Sequence, residues 1–206
     1  MTKFLNLDIE KQDRIINAAI KEFAKKGYKN ASTNEIVKEA EISKGLLFHY
    51  FKNKKDLFIF LYDLSIELVL DKIFEELDWE DKDIFNRYRQ IARLKMQVFK
   101  RYPEMFNFMK VIFTEDSIEI KDEIEHKNQE FMNGSYQKMF GDIDFSKFKA
   151  GIDIPKALGI ISWTMEGFAY KQQERVLQAS LDDIDLDEVF MQMDEYLELL
   201  KVSFYK

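Results

Sequence analysis

Apolar residues recur along almost the whole chain at intervals of three and four, the period of helices that bury one face. Ile16, Ala19, Ile20 and Phe23 form such a stripe within residues 8–26, and Gly27 is the expected C-terminal stop. Ile36, Val37 and Ala40 mark a short helix starting at Thr33. A second short helix, Lys44 to Tyr50, turns Leu47 and Phe51 inward. From Lys54 the stripe Leu57, Phe60, Leu61, Leu64, Leu68 runs on to about Leu77. Further helices are predicted over 83–101, 104–113 and 117–140, with Gly134 a candidate bend in the last of these. Residues 141–153 read as a loop. Pro155 opens a helix to about Ser180, and Asp185 a last one to Phe204. This pattern predicts an all-α protein of about nine helices, with no convincing strand.

Local chemistry sharpens the stretch from Ser32 to Lys55. Ser32 stands three residues before Glu35, the spacing of a reciprocal capping box, so a helix should begin at Thr33. Only Glu41 and Ile42 separate Ala40 from Ser43, itself a good N-cap, which is the spacing of a helix-turn-helix with Ile42 as the buried pin of the turn. Asn53 caps the next helix, with Asp56 placed to close a second box. On the second short helix Gly45, Leu46 and His49 look outward, with Lys44 and Tyr50 on the borders of that face. Such an exposed cationic and aromatic helix suits a DNA major groove. The expected DNA-binding residues are Ser32, Thr33, Ser43, Lys44, Gly45, Leu46, Phe48, His49, Tyr50 and Lys54, with Thr33, Tyr50 and Lys54 assigned to phosphate.

Residues 14–58, RIINAAIKEFAKKGYKNASTNEIVKEAEISKGLLFHYFKNKKDLF, resemble the DNA-binding domain of the TetR family of bacterial transcriptional regulators. The Phe23 and Gly27 spacing, the Ile36 helix, the Ser43-Lys44-Gly45 start and the Leu47, Tyr50, Phe51, Lys54 run fall in register. Two positions depart from the family pattern. Glu41 stands where glycine is common in the turn, which costs roughly 1 kcal/mol if that position needs a positive φ. Leu46 stands where a small or polar residue is frequent, and makes the base-reading face more apolar. The resemblance implies a helix-turn-helix domain over 1–53, a helical ligand-binding and dimerisation domain over 54–206, and a homodimer reading a palindromic operator of double-stranded DNA.

Charge divides along the same line. Residues 1–60 hold 12 Lys and Arg against 8 Asp and Glu, whereas the remainder is strongly acidic and brings the chain to a net −7. A basic head on an acidic body directs the head toward nucleic acid. The chain has no cysteine, hence no disulfide or thiolate metal site. No secretory signal and no membrane-length apolar run appear, and a cytoplasmic protein with no membrane association is expected.

Two sets of body residues are candidates for further contacts. Leu158, Ile161 and Met165 in one helix and Val189, Met193, Tyr196 and Leu200 in the last form stripes that either pair two subunits or pack within one. The middle of the chain is rich in aromatic residues and methionine, which suits a cavity for a bulky apolar or aromatic effector as well as plain core packing. Tyr88, Met96, Phe99, Phe106, Met109, Phe113, Tyr136, Trp163, Glu166 and Tyr170 are the candidates there, with Glu166 the carboxylate expected to be half-buried.

No catalytic constellation, cofactor or metal is expected. Glu123-x-x-His126 has di-metal spacing but lacks the second copy such sites need, and no phosphate loop or nucleophile arrangement occurs. The main functional expectation is a repressor released by a small ligand. The alternative is a DNA-binding factor controlled by a protein partner or by its own abundance.

Overall fold

In the computed structural model, residues 2–115, 117–177 and 183–206 are described, the side chains of Thr2, Phe113, Met132, Asn133, Gln173, Val176 and Leu177 excepted. They form α1 (Thr2–Leu5), α2 (Ile9–Asn30), α3 (Thr33–Glu39), α4 (Lys44–Tyr50), α5 (Lys54–Glu76), α6 (Ile84–Arg101), α7 (Pro103–Thr114), α8 (Ile118–Phe140), α9 (Ile154–Leu177) and α10 (Leu186–Phe204). A 3-10 turn over Phe145–Lys147 sits in the expected loop, and the one extended pairing among the described residues is an isolated bridge between Phe148 and Tyr205. The all-α fold class is therefore observed, with α1 the helix that periodicity did not reveal. Residues 178–180, the expected end of the ninth helix in the sequence reading, lie outside the described residues.

Packing divides these helices into two units. One comprises residues 1–72 and 98–133, the other 73–97 and 134–206, so α5, α6 and α8 contribute to both. In the first unit α2 lies along α7, and Phe23, Tyr28, Phe58 and Phe108 interlock with ring centroids 5.0 to 6.5 Å apart. α1 joins the same unit through Phe4, which is fully buried and lies 5.0 to 5.8 Å from the rings of Phe51, Phe60 and Tyr50. Gly27 interrupts α2 as a kink at φ +71° rather than ending it, and the chain continues in helical turns to Asn30.

The second unit is built on Ile84, Phe85, Phe140, Ile161, Met165, Met193, Leu197 and Leu200, drawn from α6, the end of α8, α9 and α10. Asp83 starts α6 by accepting the Phe85 N–H at 2.9 Å, and Asp185 starts α10 by accepting those of Asp187 and Glu188. Arg87, wholly buried in α6, donates to the carbonyls of Trp79, Asp81 and Met139 and to the Asp142 carboxylate. Arg89 ties α6 to α10 through Asp194 at 2.6 Å and Glu198 at 2.5 Å.

Candidate nucleic-acid interface

The two short helices α3 and α4 meet through a turn whose hydrogen bonds fix their angle. Ile42 N–H donates to Val37 O at 3.0 Å and Glu41 N–H to Lys38 O at 3.3 Å, the double closure of a Schellman motif. That closure requires a left-handed residue after the cap, and Glu41 supplies it at φ +55°. The strain expected of a non-glycine residue there is thus present, at roughly 1 kcal/mol. Its carboxylate pairs with Arg14 at 3.2 Å, an exposed contact of small worth. Ile36 and Ala40 are fully buried, and Ile42 is half-buried in the turn.

Ser43 starts α4 as expected, its hydroxyl accepting from the Leu46 N–H at 3.2 Å, and Asn53 starts α5 by accepting from Asp56 N–H at 2.7 Å. Ser32 behaves differently. Its hydroxyl makes no capping bond, while its N–H donates to Glu22 Oε1 of α2 at 2.9 Å. The expected Ser32–Glu35 box is thus replaced by a tie to the preceding helix. Burial raises the Glu22 carboxyl, but the Ser32 N–H and Lys26 outweigh it and hold the group below its ordinary value.

The outward face of α4 carries Lys44, Gly45 and His49, all exposed, with Leu46 and Phe48 half-buried at its flanks. The Lys44 ammonium lies 6.0 Å from the Phe48 ring centroid. A side chain added at Gly45 would meet nothing within 4 Å, so the backbone is open to a flat partner. Thr33 is half-exposed at the start of α3. Leu47 and Phe51 point into the core.

Two residues assigned to phosphate sit differently from expectation. The Tyr50 ring is buried against Phe4, because α1 covers the side of α4 that periodicity had left open. Lys54 turns back toward α2: its ammonium lies 4.8 Å from the Tyr28 ring centroid and donates to Lys29 O at 3.2 Å and Ala31 O at 3.3 Å. Two of its three protons are engaged by carbonyls at the end of α2. Phe4 is the residue that sequence reasoning missed, since a four-residue helix offers neither period nor cap.

The candidate effector residues fall into three groups. Phe99, Phe106 and Met109 are buried in the first unit, the two rings 5.2 Å apart. Tyr88 and Tyr136 flank Phe140 in the second unit at 4.7 and 4.9 Å, and burial, then Tyr136, pushes the Tyr88 hydroxyl up. Met96 is half-buried, and the Phe113 side chain lies outside the described residues. The third group is on the surface: Trp163 and Tyr170 are 71% and 64% exposed, and Glu166 is exposed rather than half-buried, accepting from the Ser162 hydroxyl at 2.7 Å. Glu123 pairs with Lys55 at 2.8 Å while His126 faces Glu130, so the two do not converge on a metal.

Among the candidate dimer residues, Ile161, Met165, Met193 and Leu200 are in the core of the second unit and Leu158 packs against it. Val189 is half-buried, and Tyr196 alone is exposed, at 44%. Among the described residues, the other large apolar side chains that α9 and α10 leave exposed are Ile160, Trp163, Tyr170, Met191, Leu199 and Val202.

Residues 15–60 match the family model described as bacterial regulatory proteins, tetR family. This N-terminal segment is therefore similar to the DNA-binding part of TetR-family regulators. The chain is 28% identical over 128 residues to the HTH-type regulator YuxN of Bacillus subtilis, an alignment covering 62% of this chain and 43% of that protein. The chain thus spans less than half the length of that relative. The fold extends the likeness to the body. A TetR-family regulator structure from Mesorhizobium loti matches with a TM-score of 0.70 at 20% identity, over 96% of this chain and 98% of the other. FadR of Bacillus subtilis in complex with stearoyl-CoA matches with a TM-score of 0.61 at 19% identity, over 91% and 96%. No helix among the described residues is long and apolar enough to cross a membrane.

Proposed function

We propose that this chain is a ligand-responsive repressor that binds a palindromic operator as a homodimer in the cytoplasm and is released by a small hydrophobic or aromatic molecule. The observation that carries the DNA half is α4, a capped helix held by a strained but fully bonded turn, with Lys44, Gly45 and His49 facing outward. Residues 1–53 are the DNA-reading part in this proposal, and residues 54–206 the part that senses and pairs. The effector half is supported by the aromatic and methionine-rich body and by a similarly folded regulator whose structure holds stearoyl-CoA. An effector weakens operator binding only by preferring the form that does not hold DNA, and a tenfold loss needs about 1.4 kcal/mol of that preference.

Selection of duplex oligonucleotides on the purified protein, followed by fluorescence anisotropy across salt, tests the DNA half. The expected operator is a palindrome with half-sites about one helical turn apart. Absence of duplex binding at low ionic strength overturns it. Thermal melting against a panel of amphipathic and aromatic compounds tests the effector half, and an unshifted midpoint across the whole panel overturns that.

A further inference from the structure

A cavity of about 330 Å³ opens in the first unit where α5, α7 and α8 meet, near the lower end of the size range of small-molecule sites. None of its lining residues is among the effector candidates above. Phe58, Ile112, Ile120 and Ile124 form an apolar floor, each of them buried, and Glu115 and Glu125 stand at its rim. The one cation of the lining, Lys121, is exposed and only loosely paired, 4.0 Å from Glu125. Such an exposed i,i+4 pair is worth a few tenths of a kcal/mol and yields readily to a better partner.

Glu115 also reaches the head. It lies in the turn between α7 and α8, where Oε1 accepts from the Ser117 N–H at 3.1 Å and Oε2 accepts from the Tyr28 N–H at 2.9 Å. Tyr28 follows the Gly27 kink, and its ring packs 5.3 Å from Phe58 and beneath the Lys54 ammonium that closes α2 onto Ala31. A molecule in the cavity therefore touches, through Glu115 and Phe58, two of the groups that hold Tyr28. Ala31 immediately precedes Ser32 and the first helix of the DNA-reading pair.

We propose that this cavity binds a small organic cation, an ammonium group on an apolar or aromatic body, and that the cation acts on the head by competing with the Tyr28 N–H for the Glu115 carboxylate. The charge sign follows from the rim. An anion placed there meets the Glu115 carboxylate, held in place by the Tyr28 and Ser117 N–H groups, and Glu125 beside it, whereas an ammonium bonds the Glu115 carboxylate and leaves its body on the isoleucine floor. The relay half rests on the ligand-responsive reading above, while the binding half stands without it.

The test uses the full chain with tryptamine as the cationic probe, and indole-3-propionate and 3-ethylindole as its anionic and neutral counterparts. Calorimetry should show tryptamine binding at least tenfold more tightly than either counterpart. Glu115→Gln, which keeps an acceptor for the Tyr28 N–H, should erase most of that preference, and Ile120→Trp should abolish binding by filling the floor. In the wild-type protein saturating tryptamine should speed hydrogen exchange at the Tyr28 amide. Equal binding of all three probes, no binding of tryptamine, affinity indifferent to both variants, or Tyr28 exchange unchanged at saturation would each overturn the proposal. Thermal melting confirms that the variants are folded, with Glu115→Gln sufficing alone if Ile120→Trp is not. No readout involves DNA, so a protein that ignores every duplex defeats the repressor reading and leaves the binding half of this one standing.

Discussion

Arg87 is a charged side chain with no access to water, and it is tolerated because all five of its N–H groups have acceptors. Three are backbone carbonyls and two belong to the Asp142 carboxylate, which remains 48% exposed. The guanidinium, through the hydrogen bond first and its charge second, holds the Asp142 carboxyl below its ordinary value. A carboxyl depressed in the folded state contributes stability above its unfolded pKa of about 3.9, and that contribution fades as the pH falls through and below that value. Arg87→Met is expected to cost about 3 kcal/mol at neutral pH, at the low end for a broken buried pair because Asp142 can be rehydrated. Urea unfolding at pH 7 and at pH 3 checks both points: the gap between wild type and variant should narrow at the lower pH. A gap that stays constant separates Arg87 from Asp142 energetically.

At the scale of the element, two serines with the same apparent role have different jobs. Ser43 caps α4 through its hydroxyl, whereas Ser32 is held by its N–H and its hydroxyl caps nothing. Ser43→Ala should therefore cost about 1 kcal/mol of α4 stability, read as about fivefold faster exchange of the Leu47 amide, while Ser32→Ala should leave α3 nearly unchanged. Equal effects would mean that the cap geometry is not what holds α4. The contrast also shows what the chain made legible. Helix starts with a dedicated residue were visible: Ser43, Asn53, Pro155 and Asp185 stand at or beside the observed boundaries of α4, α5, α9 and α10. Features that depend on a distant partner were not. Glu22 draws Ser32 away from its box across 10 residues, and Lys54 reads as a phosphate contact until the end of α2 comes within reach of its ammonium. Phe4 closes the side of α4 that holds Tyr50, and nothing in MTKFLNLD announces that contact. The cavity beside Glu115 is a packing product of three helices and has no local signature.

At the scale of the whole molecule, the proposed homodimer requires an apolar surface on which two chains pair. Periodicity could not choose, because α9 is apolar on two sides: Ala157, Ile161 and Met165 on one, and Ile160, Trp163 and Tyr170 on the other. The first set is buried in the second unit with Met193, Leu197 and Leu200, so it is already occupied. The second set remains exposed, by 43% at Ile160 to 71% at Trp163, together with Leu199 and Val202 of α10 at 64% and 71%. Large apolar side chains grouped on two adjacent helices mark an interaction surface, and the proposed partner is a second copy, because two recognition helices need a fixed separation to read two half-sites. Trp163→Glu places a charge where a two-fold axis would bring apolar rings together, and should convert a dimer to a 24.7 kDa monomer in sedimentation with little loss of subunit stability. Affinity for a full palindrome should fall at least 100-fold, while the weak binding of a single half-site persists, since the gain from linking two heads is lost. Met193→Ala, in the core, should instead cost about 2 to 5 kcal/mol of stability and leave folded chains paired. A Trp163→Glu protein that still sediments as a dimer would move the pairing surface elsewhere on the molecule.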